Sequence, residues 1–281
     1  MRLTIKKKLP LLLLVPPWIS GIVFSFLAYT KFTVESGNAL PGVNPATAVG
    51  GAFMGQLIQV HSLIITFTYV SRVFALLAIT WFGAGLICED RRAGAHLLYF
   101  SRPLTRRDYF LAHYATACTF GLFVVLGPAL LICLVAVFSS PDYTFLIEKW
   151  DVIVGALGYS TINVAVLALV VLAVSSLSSR KTYALAGVFG LVLGSDAIGL
   201  AVSALQRDGD YGMLGLLINF RRLADWMMNA AETISLEQLA MRGPNPGFAW
   251  NGWWTVLILS GVAVASIATI ATRLRRMEVV A

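Results

Sequence analysis

The densest group of chemically able side chains lies between Cys88 and Asp108, CEDRRAGAHLLYFSRPLTRRD. Glu89, Asp90 and Asp108 share this stretch with Arg91, Arg92, Arg102, Arg106 and Arg107. Interleaved charges with no phosphate-cradling glycine loop and no metal-ligand spacing suit charged contact with another protein rather than bond-making. Acidic Glu89 and Asp90 ahead of Arg91 and Arg92 match the dipole of a helix. Leu97, Leu98, Tyr99 and Phe100 give that helix an apolar side, and Pro103 stops it. The pattern therefore predicts a short two-faced helix over Glu89–Phe100, with Arg106, Arg107 and Asp108 opening the next. Arg102, Arg106 and Arg107 also have a plainer reading, as anchors to anionic lipid headgroups.

The remaining candidates are sparse. Asp196 falls inside an apolar run 15 residues beyond Lys181, about 22 Å along a helix. An ionisable group at such a depth is either functional or a hydrogen-bonded structural element, and Arg72, expected near the outer end of its own run, is its available partner. Gly190 and Gly194, in the same run as Asp196, have the spacing that lets helices approach closely. His61, His96 and His113 have no metal-ligand spacing with one another or with Cys88, Cys118 and Cys133, so no metal site is expected. The three cysteines read as small buried hydrophobes. Met54, Met213, Met227, Met228 and Met241 could offer thioethers to copper(I), but apolar helix faces explain them more simply. Hydrolase and protease motifs are absent, and so is GxxxxGK[ST]. We expect no catalysis and no bound cofactor in this chain.

These residues must be positioned in an unusual solvent. Of 281 residues 58% are hydrophobic and 12% charged, with mean hydropathy +0.79; soluble domains carry about 25% charge. A soluble enzyme is thereby excluded, and an all-α polytopic membrane protein forming a single transmembrane domain over 1–281 remains. Runs near the 20 residues that cross a bilayer fall at 9–29, 66–88, 109–138, 152–174, 182–205 and 252–272, the first kinked or broken at Pro16-Pro17. Six spans place both termini on one side. On that side fall Arg2, Lys6, Lys7, Lys8, Arg91, Arg92, Arg102, Arg106, Arg107, Arg180, Lys181, Arg273, Arg275 and Arg276, 14 of the 21 basic residues. The positive-inside rule makes it cytoplasmic. The net charge of +7 is then a topology signal and implies no nucleic-acid partner. Two outer segments exceed turns. The first turns apolar from about Ala52, suggesting an interfacial helix. The second, 206–251, holds a predicted helix over Leu223–Met241, with Ser235 and Gln238 at capping-box spacing.

With this layout the loop at 88–108 resembles that of ABC-2 type transporter permeases. Glu89, Gly94, the Leu97-Leu98 pair and Ser101-Arg102-Pro103-Leu104-Thr105-Arg106-Arg107 follow the family's pattern of Glu, Gly, Leu-Leu, Ser-Arg-Pro, a hydrophobic residue, Ser or Thr, and Arg. The six-span plan, the long last outer loop and the basic tail extend the likeness over nearly the whole chain. The resemblance implies the ABC-2 (type V exporter-like) permease fold. It also implies a homodimer or related heterodimer in a prokaryotic inner membrane, bound by two cytoplasmic ABC ATPase subunits that hold ATP and Mg. Glu89–Phe100 would be the coupling helix, with Glu89, Arg91, Arg92, Gly94, Ser101, Arg102, Pro103 and Arg106 at or near the ATPase contact. Asp196 and Arg72 would lie on the transport path, and Gly190 and Gly194 would pack helices near the dimer axis. The implied function is export of a substrate. The alternative is a mechanotransmitting subunit that passes ATPase motion to an outer partner without conducting anything.

Overall fold

A computed structural model describes residues 2–35, 60–94, 105–140, 144–206, 209–229 and 252–278, and all regular structure among them is helical. In chain order the helices are α1 (Arg2–Glu35), α2 (Val60–Gly83), α3 (Leu86–Arg92), α4 (Arg106–Ser139), α5 (Thr144–Glu148), α6 (Trp150–Leu177), α7 (Lys181–Gln206), α8 (Leu216–Met227) and α9 (Gly252–Glu278). A 3₁₀ turn, Gly209–Leu214, precedes α8.

Five stretches among the described residues are long and apolar enough to cross a membrane: Val60–Arg92, Arg107–Ser139, Trp150–Leu177, Lys181–Gln206 and Gly252–Arg273. They contain the second to sixth expected spans. The expected first span lies within α1, which is not one of these five but is itself 34 residues long. Of the expected kink or break at Pro16-Pro17, the break does not occur: α1 is one continuous helix through both prolines. Packing explains this better than propensity. Trp18 lies 5.2 Å from the Phe123 ring and covers Gly127, while Gly21 admits α4 so closely that a Cβ there would meet Pro128 Cβ at 2.6 Å.

α6 is the hub. It is largely apolar around its circumference, as a mostly buried helix must be, and its buried residues run from Val152 to Ser176. α2, α4, α8 and α9 all pack against it. Gly83 on α2 receives Val171 of α6, and Gly121 on α4 receives Val164. α7 and α9 are largely uncovered, with 17% and 22% of their apolar windows buried, and they expose Leu191, Leu193, Ile198, Leu257 and Val264.

Side-chain contacts define two ends of the bundle. At one, Phe32 of α1 meets Phe145 of α5, Met227 of α8 abuts Gly155 of α6, and Trp226 meets Trp253 of α9; this is the α8 end. At the other, Ile87, Tyr109, Leu172, Ala173 and Ile270 form a separate apolar cluster joining α3, α4, α6 and α9; this is the α3 end. Trp18 and Gly21 of α1 meet Phe123, Gly127 and Pro128 of α4 in the same order along both helices, so α1 and α4 run parallel.

Candidate functional site

At the α3 end the chain breaks at Ala84-Gly85 and restarts as α3, three residues earlier than the predicted helix. The predicted continuation to Phe100 fails at Gly94. Its backbone turns left-handed (φ +68°), and its N–H reaches back to the Arg91 carbonyl at 3.3 Å. A glycine in this conformation just past the last turn ends a helix, so α3 stops at Arg92. Residues 95–104, with Ser101, Arg102 and Pro103, lie outside the described residues, as does the side chain of Arg106. The next helix opens where expected. Thr105 and Asp108 form a reciprocal capping box, Asp108 N–H donating to Thr105 Oγ1 at 3.3 Å and Thr105 N–H to Asp108 Oδ2 at 3.1 Å.

α3 has a tethered face and an open one. Arg91 Nη1 donates to the Ser176 carbonyl at 3.0 Å, and Nη2 donates to the Ser178 carbonyl. These acceptors belong to the last turn of α6, whose carbonyls have no partner within the helix, and a cation there also matches the helix dipole. Ser175 Oγ donates to the Ala84 carbonyl at 2.8 Å and accepts from Cys88 N–H at 3.3 Å, stitching the break itself to α6. Asp90 Oδ2 stands 3.2 Å from His113 Nε2 and accepts from Tyr109 at 3.3 Å, tying α3 to α4. Lys181 Nζ lies 5.3 Å over the Trp81 ring, bringing the start of α7 alongside. Glu89 and Arg92, by contrast, are exposed.

At the α8 end the chain leaves α7, turns back along it and rises again as α8. Gly199 of α7 meets the backbone of Gly212 and Gly215, so the turn descends beside the helix it just left. The tip, Gly215-Leu216-Leu217, is seated by α7 side chains. Ser195 Oγ accepts from Leu216 N–H at 3.2 Å, and Asp196 Oδ1 accepts from Leu217 and Ile218 N–H at 3.0 and 3.4 Å. Arg72 Nη1 donates to the Leu217 carbonyl at 3.2 Å. Leu217 is thus gripped through both peptide groups, its N–H by α7 and its C=O by α2. Gly215 sits directly against Asp196 Oδ1, leaving no room for a Cβ.

Above this tip, α8 turns polar groups inward. Tyr69 donates to Asp225 Oδ1, Arg221 stacks 5.2 Å over the Tyr69 ring, and Arg222 is 8% exposed. Tyr159 and Asn163, one turn apart on α6, are both fully buried with hydroxyl and amide unpartnered, and Tyr159 is within electrostatic reach of Arg72 and Asp225.

The sequence matches the family of ABC-2 family transporter proteins over residues 47–207, more than half of its length. The chain belongs to the ABC-2 transporter family. Comparison with curated proteins finds no match. The family span runs from before α2 to the end of α7, so the break, α3, the capping box and Asp196 all fall within ABC-2 sequence.

Against this ABC-2 frame the expected site residues divide. Glu89, Arg91, Arg92 and Gly94 do form one short element. Asp196 and Arg72 do come together, but through Leu217 rather than as an ion pair. Arg72 is not near an end of its helix: it lies twelve residues from Val60 and eleven from Gly83, about 18 and 16 Å along the axis. Gly190 and Gly194 approach nothing among the described residues, since a Cβ at either would find open space, whereas Gly187, one turn earlier, meets Val174. The helix expected over Leu223–Met241 begins at Leu216 and ends at Met227, with Met228 and left-handed Asn229 closing it. Residues 230–251, with Ser235, Gln238 and Met241, are outside the described residues, as are 36–59 with Met54 and the expected interfacial helix. Met227 packs on Gly158 and Met228 is buried, so both serve packing. Cys88, Cys118 and Cys133 are free thiols. Sequence reasoning missed Ser175, Asp90 with His113, Tyr159 and Asn163. Tyr159, Asn163 and Ser175 are signalled only by being polar groups, with Ser160, Thr161 and Ser176, in a largely apolar span.

Proposed function

We propose that the chain is the permease subunit of an ATP-driven exporter, working as a pair of permeases with two cytoplasmic ATPase subunits that bind ATP and Mg. In this reading the α3 end is cytoplasmic, α1 is a sixth span, and the host membrane is a prokaryotic inner membrane. One observation carries it: α3 leaves Glu89 and Arg92 open to a partner while Arg91 and Ser175 lock its other face to α6, the helix on which the bundle is built. A push on α3 is thereby delivered to the hub. Hydrogen bonds to a charged group contribute about 1.5–3 kcal/mol each, enough to keep α3 and α6 moving as one body. The open Gly190–Gly194 face of α7 supports a second copy, because small residues let membrane helices approach at their backbones. The substrate passes between the two copies.

The test uses the permease co-purified with its ATPase and reconstituted in vesicles. Glu89→Gln, Arg91→Ala and Arg102→Ala are expected to leave the complex assembled and basal ATP hydrolysis present while transport falls at least tenfold. Full transport and full substrate-stimulated turnover in all three variants would sink the coupling role.

A further inference from the structure

Lys181 opens α7 beside the Ala84-Gly85 break, and its surroundings give it more than a topological role. Its Nζ lies 5.3 Å over the Trp81 ring, within the reach of about 6 Å of a cation–π contact. Its stem crosses Gly85, where a Cβ would stand 3.3 Å from Lys181 Cδ and 3.1 Å from Glu89 Oε2. The bare face of one glycine is therefore shared by the start of α7 and by the carboxylate that α3 turns outward. Lys181 and Trp81 are half-buried and Gly85 is buried. The ammonium is thus partly desolvated, which strengthens its attraction to the indole face.

The rest of α7 shows why this contact matters. Only 17% of its apolar stretch is buried, and its buried residues, Ala184, Val188, Val192 and Gly199, are all small or aliphatic. Packing of that kind has no directional bonds: Gly187 simply receives Val174 of α6. Among the described residues, polar contacts from α7 to other helices occur at two places. Ser195 and Asp196 hold the α8 tip. Lys181, about 22 Å away along the axis, holds the α2–α3 break. α7 is a strut pinned at its start and again beyond its middle.

We infer that Lys181 is a positioning residue that clamps α7 to the α2–α3 break, so that a displacement of α3 travels along α7 to the α8 tip. α6 carries one branch of the movement, through Arg91 and Ser175, and α7 carries the other, through Lys181. The branch on α7 ends at Asp196 and the Leu217 peptide, and so links the two ends of the bundle. The inference rests on the coupling reading, since without a push on α3 the clamp has nothing to pass on.

The test uses the permease co-purified with its ATPase in vesicles, with Cys88, Cys118 and Cys133 replaced by Ala. Environment-sensitive labels are placed singly at Leu205→Cys near the end of α7 and at Trp150→Cys at the start of α6, both exposed positions. ATP is expected to shift both signals when Lys181 and Trp81 are intact. Lys181→Met keeps the stem and removes the charge. It is expected to cut the Leu205→Cys signal and the transport per ATP hydrolysed at least fivefold while sparing the Trp150→Cys signal. Trp81→Leu removes the ring and alters no charge, so the same losses there separate the clamp from a topological or ATPase-surface role of Lys181. Lys181→Arg returns a cation to the ring and is expected to keep at least half of both readouts. An unchanged Leu205→Cys signal in either Lys181→Met or Trp81→Leu overturns the clamp. So does equal loss of the two label signals, which marks a general loosening of the bundle, and so does a Lys181→Arg variant no better than Lys181→Met. Silent labels with Lys181 and Trp81 intact, together with full transport in Glu89→Gln, overturn the coupling reading and the clamp with it. Responsive labels that ignore Lys181→Met overturn the clamp alone.

Discussion

Both ends of the bundle seat a short helix with an arginine that donates to backbone carbonyls, and the two arrangements differ in what the carbonyl belongs to. Arg91 grips the last turn of α6, where carbonyls lack helical partners and the dipole favours a cation. Arg72 grips Leu217 in the first turn of α8, where the dipole opposes it, and Asp196 must supply the negative charge at the same residue. The tether at the α3 end is therefore favoured by the helix end that it grips, while the other face of α3 exposes Glu89 and Arg92. The α8 end is balanced only through several partners and keeps buried groups unmatched. A joint inside a membrane requires a network.

That contrast predicts an order of sensitivities. Asp196→Ala orphans the Leu217 and Ile218 N–H groups away from water, at about 1–3 kcal/mol per orphaned group. It should be the most damaging change, lowering stability in a mixed-micelle denaturation assay by about 3 kcal/mol or more. Arg91→Ala frees the carbonyl of half-buried Ser178 and that of buried Ser176. The Ser175 bonds to Ala84 and Cys88 still hold α3 to α6, so the stability loss of this variant should be smaller, about 1.5–3 kcal/mol. A loss for Arg91→Ala matching that for Asp196→Ala would break the comparison. Gly94→Ala forces a left-handed residue to carry a Cβ and should cost about 1 kcal/mol, and Thr105→Ala removes one cap at about the same cost. Tyr159→Phe deletes a buried hydroxyl without a partner and should be neutral or slightly stabilising in the same assay. A clear destabilisation there would show that the hydroxyl is already engaged.

Much of the architecture was legible because the bilayer writes it in long apolar runs. The second to sixth spans follow directly from hydropathy, and the start of α4 from Thr105 and Asp108. The end of α3 was overrun because Leu97–Phe100 looked like a continuing apolar face, whereas Gly94 acts through backbone geometry that a pattern of hydrophobicity does not weigh. The start of α8 was missed for a different reason. Its cap is not local: Ser195 and Asp196 lie some twenty residues earlier and reach it only because the chain folds back along α7. The tether of Arg91 was equally invisible, since its acceptors are carbonyls of Ser176 and Ser178, and any residue type would offer them. Asp196 and Arg72 could be paired from the sequence as opposite charges in apolar runs, but not the peptide unit that joins them.

The grip on Leu217 has a consequence for how this part of the molecule tolerates change. Both tethers end on main-chain atoms, so the side chain at 217 is a bystander to them. Position 217 is free to vary among apolar residues without loosening the joint, while Asp196 and Arg72 are not. Proline is the exception, because it would delete the N–H that Asp196 receives. Saturation mutagenesis across 215–218 should show that signature: intolerance at Gly215, latitude among apolar residues at 217, and proline excluded from them.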